Sequence, residues 1–95
     1  MAGYVVVRID ISDTDRFKQY QELASKSLAI FGGRFLVRGG AMEILEGSWD
    51  AKRMVLLEFE SLERAKEWYN SPEYQEAIAA REGAATFHML ALEGL

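Results

Sequence analysis

The run from Tyr4 to Ile11 alternates. Val5, Val7, Ile9 and Ile11 fall on one side of an extended chain, and Tyr4, Val6, Arg8 and Asp10 on the other, because successive strand side chains point to opposite faces. The first set is uniformly apolar and predicts a face covered by helices; the second is mixed. The period then changes. Phe17, Tyr20, Ala24, Leu28 and Phe31 lie within an arc of about 80° at helical spacing. Ser12 and Asp13 offer N-caps, Asp15 favours the positive end of the helix, and Gly32-Gly33 closes it where a positive φ is commonly needed.

A second strand is expected over Arg34 to Arg38, with Phe35 and Val37 on one face and Arg34, Leu36 and Arg38 on the other. Gly39-Gly40 reads as a turn or bulge, Met42 to Glu46 as a further short strand, and Gly47 to Lys52 as a loop. Strand three, Arg53 to Phe59, separates Val55, Leu57 and Phe59 from Met54, Leu56 and Glu58. Ser61 then caps a helix through Asn70, with Ala65, Trp68 and Tyr69 on its inner side. Ser71-Pro72-Glu73-Tyr74 restarts a helix, with serine at the N-cap, proline in the first position and an acid in the first turn. Gly83 ends it. The last strand, Thr86 to Leu92, sets Phe87, Met89 and Ala91 against Thr86, His88, Leu90 and Leu92.

This order predicts an α+β domain of the ferredoxin-like βαββαβ type, filling residues 1–95 as one unit. Its antiparallel sheet of four strands carries both helical segments on one face. The other face would then expose Tyr4, Val6, Leu36, Met54, Leu56, Leu90 and Leu92 among Arg8, Asp10, Arg34, Arg38, Glu58 and His88. Such a patch is unusual for a monomer. A second copy packed sheet against sheet is its expected cover, so the domain is expected to be a homodimer. Three arginines against two carboxylates on this face incline it towards a small organic acid as ligand.

Composition narrows the classes. Of 95 residues 49% are hydrophobic and 27% charged, an ordinary globular balance, and the net charge of −4 argues against nucleic acid as a partner. There is no cysteine, which excludes disulfides and thiolate chemistry and fits a reducing, cytoplasmic compartment. The apolar start is broken by Arg8 and Asp10, so neither a signal peptide nor a membrane span is expected. No nucleotide-binding or EF-hand fingerprint is present. Asp13-x-Asp15 sits at a helix start, where acids are expected anyway. Neither a metal nor a cofactor is implied.

Candidate site residues follow from chemistry. The Arg38 fork can hold a carboxylate through two charge-assisted bonds, and the neighbouring Gly40 lets a ligand approach the backbone. Tyr69, Ser71 and Tyr74 offer hydroxyls around a helix break, with Arg81 two turns on. Tyrosine needs a perturbing neighbour to act as an acid near neutrality. Glu46 would serve as a base only if desolvated. His88 alone has an ordinary pKa suited to neutral-pH proton transfer. Each also has a structural reading: Arg38 paired with Glu46, Ser71 as a cap, the tyrosines as packing groups, His88 as a surface residue.

The ordered set Gly32-Gly33-Arg34-Phe35-Leu36-Val37-Arg38-Gly39-Gly40, Leu45-Glu46-Gly47 and Trp68-Tyr69-Asn70-Ser71-Pro72-Glu73-Tyr74, with Arg81, resembles an uncharacterised bacterial family. That family is a domain of unknown function within the dimeric α+β barrel superfamily. The resemblance covers almost the whole chain and implies a ferredoxin-like homodimer closing around two facing sheets. His88 lies outside the motif. The superfamily includes cofactor-independent monooxygenases, isomerases, haem-dependent enzymes and sensing domains, so it selects no activity. Two readings remain. The domain binds or transforms a small organic molecule in a pocket at the helix-free face and dimer interface, or it is an interaction or sensing module whose interface is dry.

Overall fold

The computed structural model describes residues 1–50 and 52–95. Seven elements follow in order: β1 (Gly3–Ile11), α1 (Thr14–Phe31), β2 (Arg34–Arg38), β3 (Arg53–Phe59), α2 (Leu62–Asn70), α3 (Pro72–Ala80) and β4 (Ala85–Glu93). The strands form one antiparallel sheet in the order β2-β3-β1-β4. This is the ferredoxin-like arrangement, and the Cα trace spans only 16 Å in its thin dimension, one sheet and one helical layer. Within the expected loop 47–52, Ala51 lies outside the described residues.

The alternation of β1 survives intact. Val5, Val7 and Ile9 are buried and register against Leu57, Val55 and Arg53 on one side and Ala91, Met89 and Phe87 on the other. Helix α1 lays Phe17, Tyr20, Ala24 and Leu28 onto this face, and Ala65, Trp68, Tyr74 and Ala77 complete the core. Local chemistry sets the helix ends. The Asp13 side chain accepts from the Arg16 backbone N–H at 3.1 Å, and Gly32 closes α1 at φ 71°. Gly33 follows where a Cβ would come within 2.6 Å of the Phe59 ring, so the chain passes too close to the core there for any other residue. Ser61 accepts from the Arg64 N–H at 3.1 Å and starts α2.

Three expectations are corrected. Residues 42–46 form no strand. The chain turns at Gly39 (φ 71°) after β2, and the segment leaves the open edge of the sheet unpaired and runs exposed, with Leu45 94% accessible. Tyr69 lies at the end of α2 with 41% of its surface exposed, not on the inner side. The third concerns β2. Phe35 registers with Leu57 and Arg38 with Val55, but Val37 registers with Leu56, because the ladder shifts between Phe35 and Val37. Such a bulge inserts one residue and reverses the alternation beyond it. Val37 therefore turns to the open face and Arg38 to the helix-covered face, opposite to the expectation for both.

The core also holds a polar link that apolar spacing does not show. The Trp68 indole N–H donates to the Ser27 hydroxyl at 2.9 Å, which donates to the Ala24 carbonyl at 2.7 Å. Both side chains are almost fully buried, so neither group can turn to water instead. Ser27→Ala should therefore leave the indole N–H unpaired and cost about 1–3 kcal/mol of stability. The check is the urea midpoint at constant m-value; an unshifted midpoint would show that the indole has another acceptor.

Candidate functional site

The helix-free face is apolar along its middle. Val6 registers between Leu56 and Leu90, and Tyr4 registers opposite Leu92. Leu90 is 57% exposed, and Leu36, Val37 and Leu92 are also exposed. The charges around this centre are paired. Arg8 bonds Asp50 at 2.9 Å, Arg34 grips Glu58 through both Nε and Nη2, and Lys52 lies 3.9 Å from Asp10. The partner of Arg8 is thus an aspartate from the loop that precedes β3. With Arg38 on the other side, the strands bring two arginines and two carboxylates to this face, and the expected cationic excess disappears. His88 does lie here, exposed and in register with Arg8.

Arg38 lies instead at the helix-facing end of β2, its guanidinium 4.3 Å above the Phe35 ring. Arg53 shares that side, since it registers with buried Ile9. Its Nε is buried without a hydrogen-bond partner among the described residues, and its guanidinium lies against Gly39, where a Cβ would collide with it. Both arginines line a cavity of about 40 Å³ between α1 and the sheet, otherwise walled mainly by apolar groups including Phe17, Ala24, Leu28 and Val55. No carboxylate lines it. Gly40 is exposed beside this end of β2 with open space around it. Glu46 lies in the exposed segment with Met42, Leu45 and Trp49 and, among the described residues, makes no ion pair with Arg38.

Tyr69, Ser71 and Tyr74 come together at the α2–α3 junction, whereas Arg81 caps the far end of α3 and meets Tyr69 along the groove beside β4. Ser71 acts as a joint: its hydroxyl donates to the Trp68 carbonyl at 2.7 Å and accepts from the Tyr74 N–H at 3.1 Å. Tyr74 is fully buried, and its hydroxyl meets that of Tyr20 at 2.7 Å. Burial pushes both phenols above the usual tyrosine range; the mutual hydrogen bond raises Tyr20 further and lowers Tyr74, and Arg81 pulls both partly back. The Arg81 guanidinium stacks on Phe87 at 3.7 Å and faces Tyr20 at 5.5 Å. These tyrosines are therefore packing groups joined by one hydrogen bond. They are poor proton donors near neutrality. Tyr69 and Arg81 also border an open groove of about 600 Å³ between α2 and β4.

Arg53 was not singled out by residue chemistry, yet its signal was present. It continues the parity set Arg53, Val55, Leu57, Phe59, and is the one charged member of a buried row. Among the described residues no three His, Asp or Glu side chains are placed to hold a metal, and no helix is long and apolar enough to cross a membrane.

Residues 2–95 match the family model of a domain of unknown function, DUF1330. The chain belongs to that family. No curated protein matches it. Solved structures share the fold at low identity. A protein of unknown function from Rhodopseudomonas palustris superposes with a TM-score of 0.77 at 17% identity, over 99% of this chain and 82% of that one. A dimeric ferredoxin-like protein of unknown function from Jannaschia sp. gives 0.76 at 14%, over 99% and 100% of the two chains. A candidate antibiotic biosynthesis monooxygenase from Caulobacter crescentus gives 0.69 at 19%, over 99% and 90%. At these identities the likeness concerns the fold, and DUF1330 membership itself carries no chemistry.

The tyrosine pair makes stability depend on pH in a defined direction. Both folded-state pKa values lie above the ordinary value of 10.0, so the unfolded chain releases these protons first. Their contribution is therefore whole below about pH 10 and falls as pH rises beyond it. The urea midpoint should drop between pH 9 and 11, and less steeply in the Tyr20→Phe, Tyr74→Phe double variant. Each single variant strands one hydroxyl and should cost about 1–3 kcal/mol, with the double costing less than the sum. Parallel pH profiles for wild type and double variant would refute the assignment.

Proposed function

We propose that the protein is a cytoplasmic homodimer that binds a small organic acid, with the helix-free sheet face as its dimer interface and the cavity beneath α1 as its ligand site. One observation carries the ligand reading: Arg38 reaches that apolar cavity with no carboxylate in the lining to neutralise it. A guanidinium over an apolar recess suits a carboxylate with a hydrophobic body. The paired charges of the open face favour a dry interface, so this reading separates the two roles that a pocket between subunits would have combined.

The dimer reading rests on uncovered apolar surface. Fully burying one side chain such as Leu90 contributes roughly 1.5–3 kcal/mol, and several such residues lie together in register. Arg8–Asp50 and Arg34–Glu58 would enter the interface already neutralised. Two structural neighbours of the same fold are described as dimeric, which supports a dimer. A second reading, an interaction module without a ligand, shares the dry interface and differs only in leaving the cavity empty.

Light scattering should give twice the 10.8 kDa chain mass. Leu90→Lys, a change at an exposed site that leaves the monomer core untouched, should give the single mass with its folded circular dichroism spectrum retained. A wild-type monomer would overturn the dimer. In a thermal-shift screen of small organic acids at fixed ionic strength, at least one should raise the Tm, and Arg38→Ala should abolish the rise. An unresponsive wild type across the panel would leave the interaction module as the better description.

A further inference from the structure

We infer that Arg38 and Arg53 together form one carboxylate-binding pair, and that the cavity beneath them selects acids with a short apolar body. The inference rests on the small-acid reading above and specifies the residues and ligand class of that site.

Register places the two cations side by side. Arg38 is opposite Val55, and Arg53 is two residues before Val55 on the same strand, so both side chains leave the same face as diagonal neighbours. Such positions are roughly 7–8 Å apart. Two cations leaving the same face from neighbouring positions repel each other, and an anion between them relieves that repulsion. Elsewhere in the molecule Arg8, Arg34 and Arg64 each have an acidic partner, Asp50, Glu58 and Glu67, while among the described residues Arg16 has none and Arg81, also without one, stacks on Phe87. Arg38 and Arg53 have none among the described residues, although the Arg53 Nε is buried. A desolvated donor on a cation without an acceptor is costly, and a carboxylate supplies both the charge and the lone pairs.

Gly39 is part of the arrangement. Its φ of 71° turns the chain at the end of β2, and the absence of a Cβ lets the Arg53 guanidinium lie against the backbone. Arg53 is thereby kept beside Arg38, over the apolar opening. The space below sets the size of the ligand. A cavity of about 40 Å³ is roughly three times what one water needs, room for a body of about three or four heavy atoms. Branched or straight short-chain acids fit that limit; long-chain acids do not.

The test uses the intact protein and three probes: 3-methylbutanoate, its uncharged amide, and octanoate. Affinity is read from amide chemical shifts in a titration at constant ionic strength. The short acid should bind, the amide at least tenfold more weakly, and octanoate no better than the amide. Arg53→Gln should lose at least tenfold, and Arg53→Lys, which keeps the charge but not the fork, should lose most of that. Ala24→Val fills the cavity without touching either arginine and should also abolish binding. If no organic acid binds the wild type, the parent reading falls and this one with it. If acids bind but respond to Arg38→Ala and not to either Arg53 variant, the small-acid reading stands and the arginine pair is wrong. Equal binding of acid and amide, or of short and long acids, overturns the ligand class. Should Arg53→Gln fail to fold, Arg53→Lys and Ala24→Val decide the outcome.

Discussion

The alternation of β1, held between β3 and β4, is the constraint on which the other elements depend. Its buried row of Val5, Val7 and Ile9 must be covered, and α1 with α2 and α3 covers it from one side only. All three helices of the described residues lie on that side. The opposite row, Tyr4, Val6 and Arg8, is left without a layer, and so are the residues of β3 and β4 in register with it. The uncovered face thus follows from the period of one strand together with the placement of all three helices on its other side. It requires no special feature on the open face itself.

How much of this is legible in the sequence depends on the range of the physics involved. The faces of β1, β3 and β4 are local properties, because the pleat assigns each side chain from its neighbours in the chain. Helix ends are equally local: Asp13, Ser61 and Ser71 bond backbone groups three residues on. A bulge is different. The shift at Leu36–Val37 exists only in the pairing of β2 with β3, and nothing in Arg34–Arg38 read alone distinguishes it from a regular strand. Residues 42–46 fail for the same reason. Their composition suits a strand, but a strand exists only when paired, and this segment stays exposed without joining the open edge at β2.

The buried polar groups form a second class that local reading misses. Ser27 and Trp68 are separated by 41 residues and Tyr20 and Tyr74 by 54, yet each pair shares a hydrogen bond inside the core. Both pairs join α1 to the α2–α3 segment. Because these bonds are directional where apolar packing is not, they fix how the helices lie across one another over the sheet. Ala24 lines the cavity between α1 and the sheet, and its carbonyl accepts the Ser27 hydroxyl, so the polar link and the cavity wall share a turn of helix.

The bulge also settles the distribution of charge between the two faces. With a regular β2, Arg38 would join Arg8 and Arg34 on the open face, giving three arginines there against Asp10 and Glu58. Packing that face against a second copy would then desolvate a cation lacking an acid, which costs several kcal/mol. The inserted residue removes Arg38 from this surface and leaves it balanced, with Asp50 and Lys52 from the intervening loop completing the pairs. The same shift adds a second cation beside Arg53 on the side where the helices leave an apolar cavity. One change of register therefore leaves one face with balanced charge and adds a cation to the other. That coupling is why the two proposed roles, combined in a single pocket by strand parity alone, are assigned to opposite sides of the sheet.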